Sequence, residues 1–259
     1  TANATEVLLS NYHGSRCVDA AKGPGTGKNF SCITSVFEAI AAAMDAFDAD
    51  DTLSVAILTG AGDHFCAGMD LKAFLNGERI ELKGRGLAGM IETPPKKPVI
   101  AAINGVAAGG GLELALSCDF RIACDTAKMG LPEGNVGLIP GSGGISRLVK
   151  LVGPAVAKRL VMTGEMIEAK RALDYGLVEE VVSTENLMDH CLAFARTLAD
   201  RAPLALGSAK LVINQCVNVD TETGRNFERI AQSVLKLTSD HKEGAESFIE
   251  NRKPEFTGR

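Results

Sequence analysis

The sequence predicts a mixed α/β fold: repeated strand and helix units followed by a tail that is almost wholly helical. Three observations carry this. Strand-length apolar runs and helical-period segments follow one another as strand, turn, helix, strand at a spacing of ~40 residues, which excludes a helical bundle. Beyond Glu185 the apolar residues recur almost entirely at helical intervals. The 259-residue chain also carries 28 glycines, about 11% against a typical ~7%, with only 9 prolines and no tandem period. That excess marks turns and close backbone approaches, not a linker or a collagen. The length suits one large domain, or a core with a smaller appendage. A chain this size buries roughly three quarters of its unfolded surface, so its core needs no disulfide or metal staple.

The elements follow in order. Glu6–Tyr12 reads as a short strand, and Arg16–Ala21 as a poor one by alternation. Gly23-Pro24-Gly25-Thr26-Gly27-Lys28 suggests a phosphate-cradling loop. That loop needs four residues between its glycines and Ser or Thr after Lys, whereas Asn29 follows here, so a glycine-rich turn is the reading retained. Ser35 and Glu38 stand at capping-box spacing, and Val36, Phe37, Ile40, Met44 and Phe47 recur at helical intervals until Asp48–Asp51 breaks the helix. Leu53–Thr59 is a β-rich run ending in Gly60-Ala61-Gly62, and a polar helix-like segment lies beyond it. Pro94, Pro95 and Pro98 stop any helix, Val99–Ile103 reads as a buried strand, and Asn104-Gly105 turns the chain. Gly109-Gly110-Gly111 opens a helix over Leu112–Ser117, and Asp119–Ala123 is a further strand. Helices are predicted at Gly144–Val152, Pro154–Met162 and Glu168–Tyr175, the last closed by Gly176, followed by a strand at Leu177–Val182. The remainder reads as helices at Leu187–Asp200, Pro203–Val217, Thr223–Leu237 and Glu243–Asn251, with a boundary near Asp200–Pro203.

Composition removes several functions. Charged residues make up 23% and the net charge is -5, with no basic stretch longer than Lys96-Lys97, so no nucleic-acid partner is expected. No apolar run approaches ~18 residues and no three-zone signal peptide is visible, so no membrane partner is expected either. The seven cysteines are odd in number, scattered and without a C-x-x-C pair, as suits a reducing compartment. The expectation is a soluble intracellular protein in the cytoplasm, or in the mitochondrial matrix if a transit peptide has been removed. His13, His64, His190 and His241 lie far apart and show no metal-ligand spacing, and Gly141-Ser142-Gly143 is not a nucleophile elbow.

Chemistry is predicted in three segments. Phe65–Leu71 follows a strand and bends at Gly68. Asn104–Glu113 carries the glycine triplet at a helix start, where unblocked N–H groups hold the positive end of the helix dipole. Two such N–H groups from different loops, converging on one oxygen, make an oxyanion hole. By itself a glycine triplet serves close packing more often than catalysis. The third segment, Leu131–Gly144, is apolar and glycine-rich yet contains Glu133; Glu113 is likewise the single charge in Asn104–Cys118. A glutamate in an apolar run is costly to bury unless hydrogen-bonded or protonated. A single one is as well explained as a helix cap or an exposed position. Two of them, each beside a glycine cluster, point to a paired acid/base site.

Together these segments resemble the crotonase, or enoyl-CoA hydratase/isomerase, superfamily. The agreement runs from about Val55 to Val182 and recurs over His241–Phe256. It rests on A-G-M-D-L at Ala67–Leu71, P-V-I-A-A-I-N-G-V-A-A-G-G-G-L-E at Pro98–Glu113, C-D-F-R-I-A at Cys118–Ala123 and P-E-G-N-V-G-L-I-P-G-S-G-G at Pro132–Gly144. T-G-E at Thr163–Glu165 and A-L-D-Y-G-L-V at Ala172–Val178 complete it.

The resemblance implies a spiral of repeated β-β-α units over residues 1–200, holding an acyl-CoA site. A C-terminal helical region at 201–259 follows, for trimerisation and CoA contact, giving a homotrimer or a dimer of trimers. It implies an oxyanion hole from the backbone N–H groups of Met69 and Gly110, and an acid/base pair of Glu113 and Glu133 holding one water. Ala67, Gly68, Met69, Asp70, Leu71, Lys72, Gly109, Gly110 and Phe248 are the implied substrate-binding residues. The substrate is a coenzyme A thioester, and no metal or redox cofactor is implied. The leading activity is hydration of a trans-2-enoyl-CoA, a lyase reaction of fatty acid metabolism. The alternatives are a Δ3,Δ2-enoyl-CoA isomerase, or a non-catalytic acyl-CoA-binding member. The resemblance thins over residues 10–32, where the usual L-N-R-P-like turn reads Ala21-Lys22-Gly23-Pro24, so no CoA contact is assigned there. In the tail, F-x-E-K-R reads Phe248-Ile249-Glu250-Asn251-Arg252, leaving Arg252 or Lys253 as the available cations. Gly134 stands where the family often has a bulkier residue, implying an altered acyl pocket.

Overall fold

The computed structural model describes residues 5–11, 14–18, 34–77 and 81–259, with side chains from Val36 onward. The Gly23–Lys28 turn lies outside them. The elements are β1 (Thr5–Asn11), β2 (Gly14–Val18), α1 (Thr34–Ala49), β3 (Val55–Gly60), α2 (Leu71–Leu75), β4 (Val99–Ile103), β5 (Ala107–Ala108), α3 (Gly110–Ser117), β6 (Phe120–Cys124) and β7 (Lys128–Gly130). They continue as α4 (Gly144–Thr163), β8 (Ile167–Glu168), α5 (Ala169–Asp174), β9 (Glu180–Val182), α6 (Leu187–Ala199), α7 (Pro203–Cys216), α8 (Thr221–Leu235) and α9 (Ser239–Glu250).

Among the described residues the main sheet runs β2-β1-β3-β4-β6-β9 and a smaller sheet runs β5-β7-β8. β1 is antiparallel to both neighbours, whereas β3, β4, β6 and β9 are parallel. The chain alternates between the sheets: β4 in the first, β5 in the second, then α3; β6 in the first, β7 in the second, then α4. An isolated parallel bridge from Cys66 to Ala107 starts the same pattern after β3. Each turn thus lays down one strand per sheet and one helix, which is the β-β-α spiral. Right-handed crossovers demand a helix or long connection between parallel neighbours, and each turn supplies one.

β3 and β4 are buried along their whole length, as expected of parallel strands covered on both faces. On α1 the stripe Phe37, Ile40, Met44 and Phe47 is fully buried, each side chain contributing about 1.5–3 kcal/mol. α6 turns Leu187, Cys191, Ala195 and Ala199 inward and packs on β1, β3, β4 and β6. No helix among the described residues is long and apolar enough to cross a membrane.

The differences from the sequence expectation have local causes. α1 begins at Thr34, so Ser35 lies inside it and does not precede it. β2 forms although its residues alternate poorly, because its ladder to β1, from Val7↔Val18 to Asn11↔Gly14, is a backbone property. The two helices expected at 144–152 and 154–162 are one element, kinked at Gly153 (φ 74°) ahead of Pro154. Leu177 and Val178 are not strand: both N–H groups return to the Ala172 carbonyl, closing α5, and the ladder starts only at Glu180. α8 starts at Thr221, earlier than expected, because the Asp220 carboxylate accepts from Glu222 N and Thr223 N; Thr238 caps α9 in the same way. The break near 200–203 falls between α6 and α7, with Pro203 opening α7. Lys210 of α7 reaches back to the core, donating to Asp119 (2.7 Å) and the Lys97 carbonyl (2.9 Å).

Candidate functional site

Backbone hydrogen bonds sew the three glycine-rich segments together. Cys66 N donates to the Val106 carbonyl and Ala108 N to the Cys66 carbonyl, both at 3.0 Å; Gly109 N donates to the Gly130 carbonyl at 3.0 Å. The helix start presses on this ladder. A Cβ on Gly111 would lie 2.0 Å from the Cys66 carbonyl oxygen, closer than any real contact, so the approach requires glycine. Gly109 has φ +54° and ψ -126°, a backbone state closed to other residues, and it releases the chain from β5 into α3. A Cβ on Gly68 would stand 2.8 Å from the Ala108 carbonyl and 3.7 Å from Gly110 N. The Ala67–Met69 loop and the first N–H of α3 are therefore neighbours, and that N–H, at the helix N-terminus, has no acceptor within the helix.

The two glutamates flank this helix start. Glu113, in the first turn of α3, is 4% exposed. Its Oε1 accepts from Ser142 N at 2.7 Å and from Gly144 N at 2.9 Å. A Cβ on Gly144 would be 2.9 Å from Glu113 Cγ and Oε1, so the turn after Pro140 must be bare for the carboxylate to dock. Burial raises Glu113 above the ordinary carboxylate range; the two backbone donors and the Arg147 guanidinium oppose this, and the Glu81 carboxylate adds to it. Glu133 sits in a 3-10 turn (Pro132–Val136), with Pro132 supplying a pre-set φ at its start. Its Oε1 lies 3.2 Å from the position of a Gly109 Cβ, which sets the carboxyl against the helix start. Its Oε2 is out of contact with solvent and has no hydrogen-bond partner among the described residues. Burial also raises Glu133, and the neighbouring Glu113 charge raises it further.

The other sequence-assigned residues divide. Asp70 is engaged as the N-cap of α2, its Oδ1 accepting from Lys72 N (2.9 Å) and Ala73 N (3.0 Å). Leu71 and Lys72 are exposed on α2, with Phe74 and Leu75 beside them. Gly134 is exposed with only the Val161 carbonyl near its missing side chain, so the space beside Glu133 is open. Phe248 is 87% exposed on α9, so within one chain it lines nothing. Neither tail cation is idle: Arg252 pairs with Glu243 and Glu250, and Lys253 with Asp200. Asn251 takes the left-handed conformation (φ 54°) that ends α9, a role asparagine fills better than lysine.

The spacing of carboxylates and glycines does not disclose their fixings. The backbone donors at Ser142 and Gly144, and Arg147 behind them, were not among the sequence-assigned residues. One signal was present: Arg147 closes the first turn of α4, where the helix dipole disfavours a cation, so a nearby anion was called for. A separate cavity of about 840 Å³ lies among Leu53, Pro95, Leu204, Leu211 and Phe256, and none of the assigned residues lines it. Two of the charged residues in its lining are engaged within the chain: Asp48 accepts from Lys96 N and Lys97 N, and Lys210 pairs with Asp119. Among the described residues no three His, Cys, Asp or Glu side chains cluster as metal ligands do.

Chemically, the site offers backbone donors for a developing oxyanion and, beside them, two carboxyl groups with unequal surroundings. A family profile described as Enoyl-CoA hydratase/isomerase matches residues 28–259. A carnitinyl-CoA dehydratase from Proteus mirabilis is 42% identical over 223 residues, covering 82% of this chain and 85% of its own. Among solved structures, enoyl-CoA hydratase EchA1 from Mycobacterium marinum superposes with a TM-score of 0.85 at 41% identity, covering 88% of this chain and 90% of that one. An enoyl-CoA hydratase from Mycobacterium tuberculosis gives a TM-score of 0.85 at 40% identity, with the same coverage.

Proposed function

Since the chain belongs to the enoyl-CoA hydratase/isomerase family and has the crotonase fold, we propose that it is a hydro-lyase acting on 2-enoyl-CoA thioesters. The observation that carries this is the unequal pair of carboxyl groups. Glu113 is held on one oxygen by two backbone N–H groups, which favour its ionised form. Glu133 keeps a buried, unpartnered oxygen beside that charge, which favours its protonated form. In the proposed reaction the thioester oxygen lies between the N–H groups of Met69 and Gly110. Glu113 takes a proton from water as the water oxygen bonds to C3. The double-bond electrons pass through C2 to the thioester, forming an enolate at the oxyanion hole. Glu133 then delivers its proton to C2. The two carboxyl groups titrate as a coupled pair, so these are roles within one microstate. In reverse the same residues remove water from a 3-hydroxyacyl thioester, and the names of the relatives, dehydratase and hydratase, describe those two directions.

Ala67, Gly68, Asp70, Leu71, Lys72 and Gly109 belong to the CoA path in this reading, Asp70 through the helix it caps. Phe248 serves the site of a neighbouring chain in a homotrimer or a dimer of trimers. The proposed chemistry uses only side chains and backbone.

Crotonyl-CoA hydration, followed as loss of the conjugated thioester absorbance, tests the proposal. Wild type should turn over, and Glu113→Gln and Glu133→Gln should each lower kcat by roughly 10²–10⁴-fold. Folded wild type that leaves every enoyl-CoA unhydrated, yet shifts a 3-enoyl double bond with Glu113→Gln still active, is an isomerase. Calorimetric binding of CoA esters with no turnover identifies a non-catalytic member.

A further inference from the structure

We propose that Arg147 is a positioning residue for this acid/base pair, holding the Ser142–Gly144 turn and, through it, the Glu113 carboxylate. The inference rests on the hydro-lyase reading of the site. Arg147 does not touch the reacting atoms. Its guanidinium folds back over the turn that opens α4: Nη1 donates to the Ser142 carbonyl at 3.3 Å, and Nη2 donates to the Ile91 carbonyl at 2.9 Å. The Arg147 amide closes the same turn on the Gly143 carbonyl at 3.0 Å. A Cβ on Gly143 would lie 2.0 Å from Nη1, so the bare glycine is what lets the guanidinium lie across the turn. From the same turn, the N–H groups of the two flanking peptides, Ser142 N and Gly144 N, donate to Glu113 Oε1. One planar cation therefore fixes the acceptor side of a turn whose donor side fixes the base, and ties both to the Ile91 segment.

The charge acts in the same sense as the geometry. Three charged groups face Glu113 from the elements around it: Arg147 from α4, Glu133 from the 3-10 turn, and Glu81, whose Oε1 lies 3.5 Å from Ser142 Oγ. The 3-10 turn Leu87–Gly89 and β5, which also pack on α3, carry no charged residue. The Cys118 thiol below Arg147 is pushed up to about 12 by burial and stays neutral. Arg147 is thus the one cation among these groups, and it opposes two carboxylates. Removing it should make Glu113 harder to ionise, and removing Glu81 should make it easier.

The experiment compares wild type with Arg147→Met, Arg147→Lys and Glu81→Gln. Two readouts are used: kcat and KM for crotonyl-CoA across pH, and the ¹³C-carboxyl titration of Glu113, assigned by its loss in Glu113→Gln. Arg147→Met should lower kcat by about 10–100-fold with KM changed less than about 2-fold, because a misplaced base costs the chemical step and not binding. It should move the acid limb of kcat/KM and the Glu113 titration to higher pH. Glu81→Gln should move both to lower pH. Arg147→Lys keeps the charge but not the fork, so it should restore the titration and only part of kcat. If Arg147→Met does not fold, Arg147→Gln, which keeps one donor, takes its place. Arg147→Met (or Arg147→Gln in its place) with wild-type kcat, or with lowered kcat but an unmoved Glu113 titration, overturns the assignment. If wild type hydrates nothing, the hydro-lyase reading fails by itself, and the carboxyl titration still decides whether Arg147 governs Glu113.

Discussion

A buried carboxyl oxygen with no partner is an expense the fold retains for chemistry, and Glu133 Oε2 is such an atom. Leaving a buried polar group unsatisfied costs about 1–3 kcal/mol, and more when it is charged. The remainder of the Glu133 side chain is partly exposed, so solvent screening moderates the cost. Both burial and Glu113 raise the folded-state pKa above the unfolded value. The neutral form is therefore favoured in the native protein, and stability present below the ordinary carboxylate range is lost as pH rises through the raised folded value. Glu133→Met, apolar and of similar volume, removes that loss. Its thermal midpoint should exceed the wild-type value by about 2 °C at pH 8, with the gain shrinking towards pH 4. Hydration activity should vanish. Melts at a series of pH values check this; a gain that does not change with pH would mean the effect is packing and not ionisation. Glu113 should give a smaller gain on the same substitution, because the change also strands the Ser142 and Gly144 donors.

At the scale of elements, what the sequence disclosed depended on how many residues carry each signal. β3 and β4 were legible because four or five successive apolar residues, Val55–Leu58 and Val99–Ile103, mark a strand buried on both faces. α1 and α6 were legible through their stripes. β5 and β8 span two residues each, too few to show any period, and only the spiral defines them. The candidate site divided in the same way. Glu113 and Glu133 stood out as charges in apolar runs, whereas the backbone groups that orient them have no letter of their own. Asp70 shows a third case: resemblance placed it on the CoA path, and its side chain is engaged in capping α2. The close approach of α3 to the Cys66 segment yields an element-level prediction. Gly111→Ala puts a methyl group where the Cys66 carbonyl oxygen stands, forcing apart the two segments that carry the Met69 and Gly110 N–H groups. A displacement near 1 Å can cost about 10²-fold in rate. The variant should lose about that factor in kcat/KM for crotonyl-CoA while keeping the wild-type far-ultraviolet circular dichroism. Unchanged kinetics would show that the two segments do not act together.

On the scale of the whole molecule, the spiral and the tail differ in what they bury. The spiral closes over its own core. The tail presents apolar side chains to solvent: on α8, Ile230 (63% exposed) and Val234 lie one turn apart on one face, Leu237 (87% exposed) follows just beyond the helix end, and Phe248 and Ile249 stand out from α9. Exposed apolar area of this kind marks an interaction surface. The tail is nonetheless anchored. Lys210 holds α7 to Asp119, and the buried Asp240 carboxylate accepts from Thr257 N and Gly258 N, clamping the last residues to the start of α9. A rigidly mounted apolar face suits a permanent interface, and a second copy of the chain is the occupant in the proposed trimer. Light scattering of wild type should accordingly give three or six times the 27.1 kDa chain mass. Ile230→Asp combined with Val234→Asp puts two carboxylates on that face and should bring the mass towards that of one chain. The core does not use these positions, so the circular dichroism should persist. Phe248 lines nothing within its own chain, so separation should raise KM for the thioester more than it lowers kcat. A monomeric wild type with full activity would remove both the interface and the role given to Phe248.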